Sequence, residues 1–295
     1  MMRALPFILM VFFGWNELCA AASYGVARSA APVLNTPAFS DIFGGADGRS
    51  LKTDRCGQVR QLEFIALPGT VFRLREKIPG SAATVYRVET DDYPTTDNIP
   101  LYVDGRFIEL RDDEPPARAR ALPSGERIIA ALRAGIGSPY VWGGNVQGGA
   151  RALLGSFYPA GAALDDRVKR RITLAGLDCS GLLYQATGGW TPRNTSQLVS
   201  YGTGVAVEGK SAQEIAAGLQ PLDLIVWSGH VIIVLDRSTV IESRLECGGP
   251  THGGVVTTPS QRRLTEIMRT RRPLDAWPAQ GKQRGVFVVR RWFGI

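Results

Sequence analysis

The sequence predicts an α+β protein: a small all-β unit, then a larger domain that mixes helices and strands. Three observations point there. Short runs of strand character divided by turn residues occupy roughly positions 48 to 112, helix-period segments begin only after about position 120, and short strands succeed one another from Pro221 onward. A chain of 295 residues has room for two cores. Its 44% hydrophobic and 21% charged residues are the composition of a folded globular protein and exclude a disordered or fibrous one.

The chain opens with "MMRALPFILMVFFGWNELCAAAS", in which Arg3 precedes an apolar run from Ala4 to Trp15 and the small residues Ala20, Ala21 and Ala22 follow. This three-part pattern predicts a secretory signal peptide over residues 1–22. The apolar run falls short of the roughly 20 residues of a bilayer span. Export to the periplasm or cell envelope is therefore expected, with no stable membrane span after cleavage. Cys19 raises the question of lipid attachment, but Asn16, Glu17 and Leu18 match poorly the small residues that precede a lipidated cysteine. Residues 23–45, rich in Ala, Pro, Ser and Gly, read as a linker.

Residues 46–115 carry the strand-like runs "VRQLEFIAL", "TVFRLREKI", "ATVYRVET" and "IPLYVDGRFIEL", with turns at Pro68-Gly69, Pro79-Gly80 and Asp104-Gly105. Asp-Gly between "LYV" and "RFIEL" is a two-residue hairpin signal. Strands this short and this close together predict a small β-barrel. "RDDEPPARARALPSGE" then clusters charges and prolines, marking the boundary to a domain over residues 120–295.

In that domain "GERIIAALRAGIG" spaces Ile128, Ile129, Leu132 and Ile136 along one side of a helix closed by Gly135 and Gly137. "LDCSGLLYQATGG" reads as a second helix, with Leu182, Leu183 and Ala186 on one side and Gly188-Gly189 as its stop. "PLDLIVW", "HVIIVLD" and "TVIES" are strand-like, and "GVFVVRRWF" can supply one more strand.

The formal net charge is +7, and removing residues 1–22 takes away one charge of each sign, Arg3 and Glu17. A basic exported protein is drawn to polyanionic surfaces such as a bacterial envelope. The basic runs "RVKRR" and "MRTRR" come with no nucleic-acid motif, so nucleic acid is not expected as a partner. With no C-x-x-C, no H-E-x-x-H and only His230 and His252 as histidines, no metal site is expected. The cysteines that remain after cleavage are Cys56, Cys179 and Cys247, an odd number, so at least one is free or pairs with another molecule. Cys56 and Cys247 are one pair that could form a bridge between domains, but pairing is not readable from sequence.

Cys179 is placed for chemistry. A thiol attacks as its thiolate, which the positive end of a helix and a neighbouring imidazolium both favour. With Asp178 as N-cap or next to it, Cys179 falls in the first helical turn, where backbone amides lack partners. Ser180 and Gly181 keep that turn small, so that a substrate carbonyl could reach the sulfur and those amides together. His230 starts the strand "HVIIVLD". A turn near Asp236 would fold "TVIES" back antiparallel and bring Glu242 opposite His230 on one face, an imidazole with a group to orient it. His252, in the loop "GPTHGGV", is the less favoured base. Buried inert cysteines and structural histidines are common, so neither residue alone makes the case.

Taken together, "SPYVWGG" at 138–144, "DCSGLL" at 178–183, "TPRNTSQL" at 191–198 and "LQPLDLIVWSGHVIIVLD" at 219–236 resemble, in order, the motifs of the NlpC/P60 family of bacterial cell-wall cysteine peptidases. The resemblance covers most of residues 125–245. It implies a papain-like NlpC/P60 catalytic domain preceded by a bacterial SH3 (SH3b-like) barrel, with Cys179 as nucleophile, His230 as base and Glu242 as the orienting third residue. It also implies that Tyr140, Asp178 and Ser180 line the substrate cleft, where the acid and the serine often meet a free amino terminus. Three departures stand out: a carboxylate in the third position where the family more often has histidine, Leu222 where a glycine commonly precedes the aspartate, and 33 residues, 145–177, between the first two motifs.

The function implied is an exported endopeptidase that needs no cofactor and hydrolyses peptidoglycan stem peptides at the bond between D-γ-glutamate and the diamino acid, meso-diaminopimelate or lysine. The alternatives are a catalytically inactive wall-binding scaffold, and an amidase or acyltransferase on the same core.

Overall fold

The computed structural model describes residues 22–80, 83–95, 99–159, 164–248, 252–280 and 283–294. The expected signal sequence, all but Ala22, lies outside the described residues, as does Cys19. Among the described residues no helix is long and apolar enough to cross a membrane. The protein is α+β, built among the described residues on two seven-stranded sheets, antiparallel but for one parallel pair in the second, with helices packed around the second.

The first half of the chain forms β1 (Tyr24–Ala27), β2 (Ala31–Leu34), the single helical turn α1 (Phe39–Ile42), β3 (Phe43–Gly44), β4 (Ser50–Leu51), β5 (Leu62–Ala66), β6 (Val71–Ile78), β7 (Val85–Glu89), β8 (Leu101–Asp104) and β9 (Ile108–Arg111). β3 and β4 pair only with each other. The other strands form one sheet in the order β5-β2-β8-β7-β6-β1-β9. Residues 23–45, read as a linker, therefore contribute two of its strands.

Strand pairing in this sheet does not close on itself among the described residues, so the barrel expected from the short strands is an open sheet. The free edge of β5 is occupied by another group. The Asn145 side chain accepts from the Ile65 N–H at 2.9 Å and donates to the Ile65 carbonyl at 2.8 Å, pairing as a strand would.

The Asp104-Gly105 hairpin does not form. Asp104 instead caps a 3₁₀ turn over Gly105–Phe107, its carboxylate accepting from the Arg106 N–H and pairing with the Arg106 guanidinium. β9 then runs beside β1 and not beside β8. Gly105 has no positive φ, which a type I′ turn would need; a β-carbon there would lie 2.9 Å from the Thr84 carbonyl oxygen and 3.1 Å from the Tyr86 ring.

The second half contains α2 (Gly125–Ala134), β10 (Asn145–Val146), α3 (Ala152–Phe157), α4 (Asp166–Ile172), β11 (Gly176–Leu177), α5 (Cys179–Ala186), α6 (Thr195–Leu198), β12 (Thr203–Gly204), α7 (Ala212–Gly218), β13 (Leu224–Trp227), β14 (His230–Val234), β15 (Thr239–Leu245), β16 (Gly253–Pro259), α8 (Ser260–Met268), β17 (Arg272–Leu274) and β18 (Val286–Arg291). The sheet order is β12-β18-β13-β14-β15-β16, with β17 parallel to β18. Alternation along β13 and β14 buries both faces. Leu224, Val226, Val231 and Ile233 pack with Ile128 and Leu132 of α2 and with Leu182 and Leu183 of α5. Ile225, Ile232 and Val234 pack with Ile215 of α7 and with Leu264 and Ile267 of α8. Ile136, read as part of the apolar face of α2, lies past the helix end and is exposed.

Residues 145–177, the expected insertion, join the core of the first half. Ala150, Leu153 and Leu174 are buried there. The Phe157 ring lies 5.3 Å from Phe43 and 6.4 Å from Phe107, with the Arg106 guanidinium 4.2 Å above it. Two further ties hold the halves together. A disulfide joins Cys56 to Cys247, and Arg118 of the connecting segment reaches Asp92 at 3.2 Å and the Gly188 carbonyl at 3.1 Å.

Candidate active site

Cys179 is the first residue of α5 and the free cysteine among those described. Asp178 is the N-cap, its carboxylate accepting from the Gly181 N–H at 2.6 Å. The amides of Cys179 and Ser180 head the helix without intrahelical partners. Gly181 does not widen the approach to the sulfur: a β-carbon at this position would strike the Gly144 carbonyl, so its bareness lets the first turn of α5 seat on the 144–145 backbone.

The imidazole of His230 arrives at the start of β14, after a Ser228-Gly229 turn with Gly229 at φ 93° and its N–H donating to Thr195 Oγ1 at 3.1 Å. The Cys179 thiol lies against this turn, Sγ being 3.9 Å from the Gly229 carbonyl oxygen. β15 folds back antiparallel with Ile233 beside Ile241, which leaves Glu242 short of the position directly opposite His230 and diagonal to it on the same face. The diagonal suffices: His230 Nε2 is 2.7 Å from Glu242 Oε2. The structure therefore brings Cys179, His230 and Glu242 together in that order.

Glu242 is 1% exposed and does not face its histidine alone. Arg263 of α8 donates from Nε to Oε1 at 2.6 Å and from Nη2 to Oε2 at 3.0 Å, and Arg244 Nη1 stands 4.0 Å from Oε1. Burial opposes ionisation of Glu242, but the bonds from His230 and Arg263 prevail and hold its pKa below the ordinary carboxylate value. Burial likewise opposes the imidazolium, yet hydrogen bonds to Cys179 and Glu242 and their negative charge raise the His230 pKa to about 9. At neutral pH the ring is thus protonated, with Glu242 as its hydrogen-bonded acceptor. The Trp227 ring sits 5.0 Å from the imidazole, with the Arg271 guanidinium 4.5 Å over the indole.

Tyr140 is buried, and its phenol is pushed up first by burial and then by the negative charge of Asp178 and Cys179 nearby. The strand-rich half holds this segment by its backbone: Gln58 Oε1 accepts from the Trp142 N–H at 2.8 Å, and Gln58 Nε2 donates to the Tyr140 carbonyl at 3.4 Å. Trp142 itself is 39% exposed, under the guanidinium of Arg60 at 4.6 Å.

Asp178 and Ser180 turn onto Arg193, which is 2% exposed. Arg193 Nη1 donates to Asp178 Oδ1 at 3.1 Å and to Ser180 Oγ at 2.8 Å, Nη2 donates to Asp178 Oδ2 at 2.6 Å, and Nε donates to Asn145 Oδ1 at 3.2 Å. Burial disfavours the guanidinium charge, but Asp178 more than offsets this and Arg193 stays charged. Sequence reasoning missed Arg193, Asn145 and Arg263. Arg193 lies inside the quoted "TPRNTSQL"; a lone basic residue there, with an acid in the nucleophile motif, was the available signal. Arg263, in "SQRRLTEIM", had none.

His252 is in a left-handed conformation, φ 54°, and packs on Gly57 beside the disulfide. Among the described residues its buried Nδ1 has no hydrogen-bond partner. Leu222 also lies in the left-handed region, φ 71°, and is buried, so it supports the core from a backbone conformation that glycine adopts more easily. No family model matches the chain, and no curated protein matches it. A thiol at a helix N-terminus, beside an imidazolium oriented by an ionised carboxylate, is equipped for nucleophilic attack on a carbonyl.

Proposed function

We propose that the protein is an exported cysteine endopeptidase of NlpC/P60 type, with a papain-like catalytic domain and an SH3b-like N-terminal unit, acting on peptidoglycan stem peptides. The observation that carries the proposal is the His230 ring held by buried Glu242 at 2.7 Å, with the Cys179 sulfur at the head of α5 lying against the turn that delivers the ring. The Cys179 sulfur attacks the scissile carbonyl, and the amides of Cys179 and Ser180 at the head of α5 face the developing oxyanion. His230 gives its proton to the leaving amine, leaving an acyl-enzyme. It then takes a proton from the water that adds to the thioester carbonyl; the C–S bond breaks, releasing the acid and returning the sulfur as thiolate beside the imidazolium. Glu242 keeps Nε2 engaged, so Nδ1 is the nitrogen that serves the sulfur. No step calls for a cofactor. The family resemblance favours the D-γ-glutamyl bond to meso-diaminopimelate or lysine, in the periplasm or cell envelope, with Tyr140 at the cleft wall.

The test is digestion of purified sacculi followed by mass spectrometry of the released fragments. The native protein should release stem-peptide fragments carrying a new amino terminus on the diamino acid, and Cys179→Ala should release none. Equal release by both proteins would rule out the nucleophile. Binding without release would favour a wall-binding scaffold, and products extended by an added amine would favour acyl transfer.

A further inference from the structure

We propose that Arg263 is a positioning residue of the site, acting through Glu242 to set the orientation and basicity of His230; this rests on the cysteine-hydrolase reading above. The four-group chain Cys179–His230–Glu242–Arg263 draws on α5, β14, β15 and α8. Arg263 approaches the buried carboxylate with two guanidinium nitrogens, 2.6 and 3.0 Å from its two oxygens, and so fixes the carboxylate plane. Glu242 Oε2 accepts from Arg263 and meets His230 Nε2 at 2.7 Å. Any rotation of the carboxylate would break a bond on one side or the other.

The electrostatics point the same way. A carboxylate that is 1% exposed, with an imidazolium as its only counterion, would hold the imidazole proton too tightly for easy transfer to a leaving group. The guanidinium shares that negative charge. Glu266, in turn, meets Arg263 Nη1 at 3.2 Å and braces it from the solvent side. The charged groups facing the His230–Glu242 pair are Cys179 from α5, Arg244 from β15, Arg263 with Glu266 from α8, and Arg271 beyond the Trp227 ring. Of these, Arg263 alone makes two hydrogen bonds to the carboxylate among the described residues. A third residue that is an acid, where an uncharged imidazole would need no such partner, explains why a cation is placed behind it.

The experiment compares the wild type with Arg263→Met, Arg263→Lys, Glu242→Gln and the Arg263→Met/Glu242→Gln double variant. The chain has only two histidines, so the His230 imidazole can be titrated by NMR without any substrate. Removing the cation should move the His230 midpoint upward, lysine should largely restore it, and in the Glu242→Gln background the loss of Arg263 should change nothing. On muropeptides, Arg263→Met should lower kcat by roughly tenfold to a hundredfold with KM little changed, a fraction of the 10²–10⁴ that acid–base catalysis supplies. A His230 midpoint that is unmoved or lowered in Arg263→Met, or moved equally by methionine and lysine, overturns the proposal. So does an undiminished effect of Arg263→Met in the Glu242→Gln background. If the wild type itself turns over no muropeptide, the hydrolase reading fails, while the titration still decides what Arg263 does to the histidine.

Discussion

The surroundings reverse the protonation of His230 at neutral pH. Its pKa rises from 6.5 in an ordinary peptide to about 9 in the fold, so the folded state binds a proton more tightly than the unfolded chain. The resulting stabilisation is complete below about pH 6.5 and is lost as pH climbs through 9; by linkage it amounts to about 3 kcal/mol. Urea unfolding of the wild type and of His230→Asn should therefore differ most at pH 6, with the gap shrinking by about that amount by pH 10. A gap independent of pH would show that the ring is not held protonated. At this scale the sequence was informative where a side chain's role follows from local geometry. Asp178 caps α5, and the period of two along β14 and β15 carries Glu242 to the face of His230. It was silent where a long side chain reaches across the fold. Arg193 and Arg263 meet their acids from 15 and 21 positions away, and no spacing rule connects them.

Among the elements, those with strong periodicity were readable. α2, α5 and the strands β13 to β15 stand where apolar spacing and glycine stops indicated. Turn chemistry was less informative, because Asp104 had a second use as the cap of a 3₁₀ turn and β9 had a better partner in β1. The disulfide is the strongest tie between elements, closing the segment before β5 against the end of β15 across 191 positions. Chain-entropy arithmetic for a loop of that length gives about 5 kcal/mol. Replacing Cys56 and Cys247 by serine should lower the unfolding free energy by up to about that amount, read from urea midpoints with and without the bridge. A change under about 1 kcal/mol would mean that the packing of residues 145–177 on the first sheet suffices to hold the halves together.

For the molecule as a whole, the sequence suggested two units joined by a proline-rich connection. In the structure they share a core: Leu153 and Leu174 lie among Phe64, Phe72 and Phe107, and Asn145 links the edge of β5 to Arg193 and so to Asp178 beneath the nucleophile. Partners separated by roughly 80 positions leave no trace in local patterns, so this docking was not readable. Its consequence is that the strand-rich half forms part of the frame on which α5 rests, so that Cys179 at the head of that helix is positioned by both halves. The most direct measurement of that thiol is its alkylation by iodoacetamide as a function of pH, with Cys56 and Cys247 protected by their disulfide. Cys179 should label quickly at pH 6 in the wild type and many times more slowly in His230→Ala, since a neighbouring imidazolium favours the attacking form of a thiol. Labelling of the wild type at pH 6 no faster than that of free cysteine would contradict it.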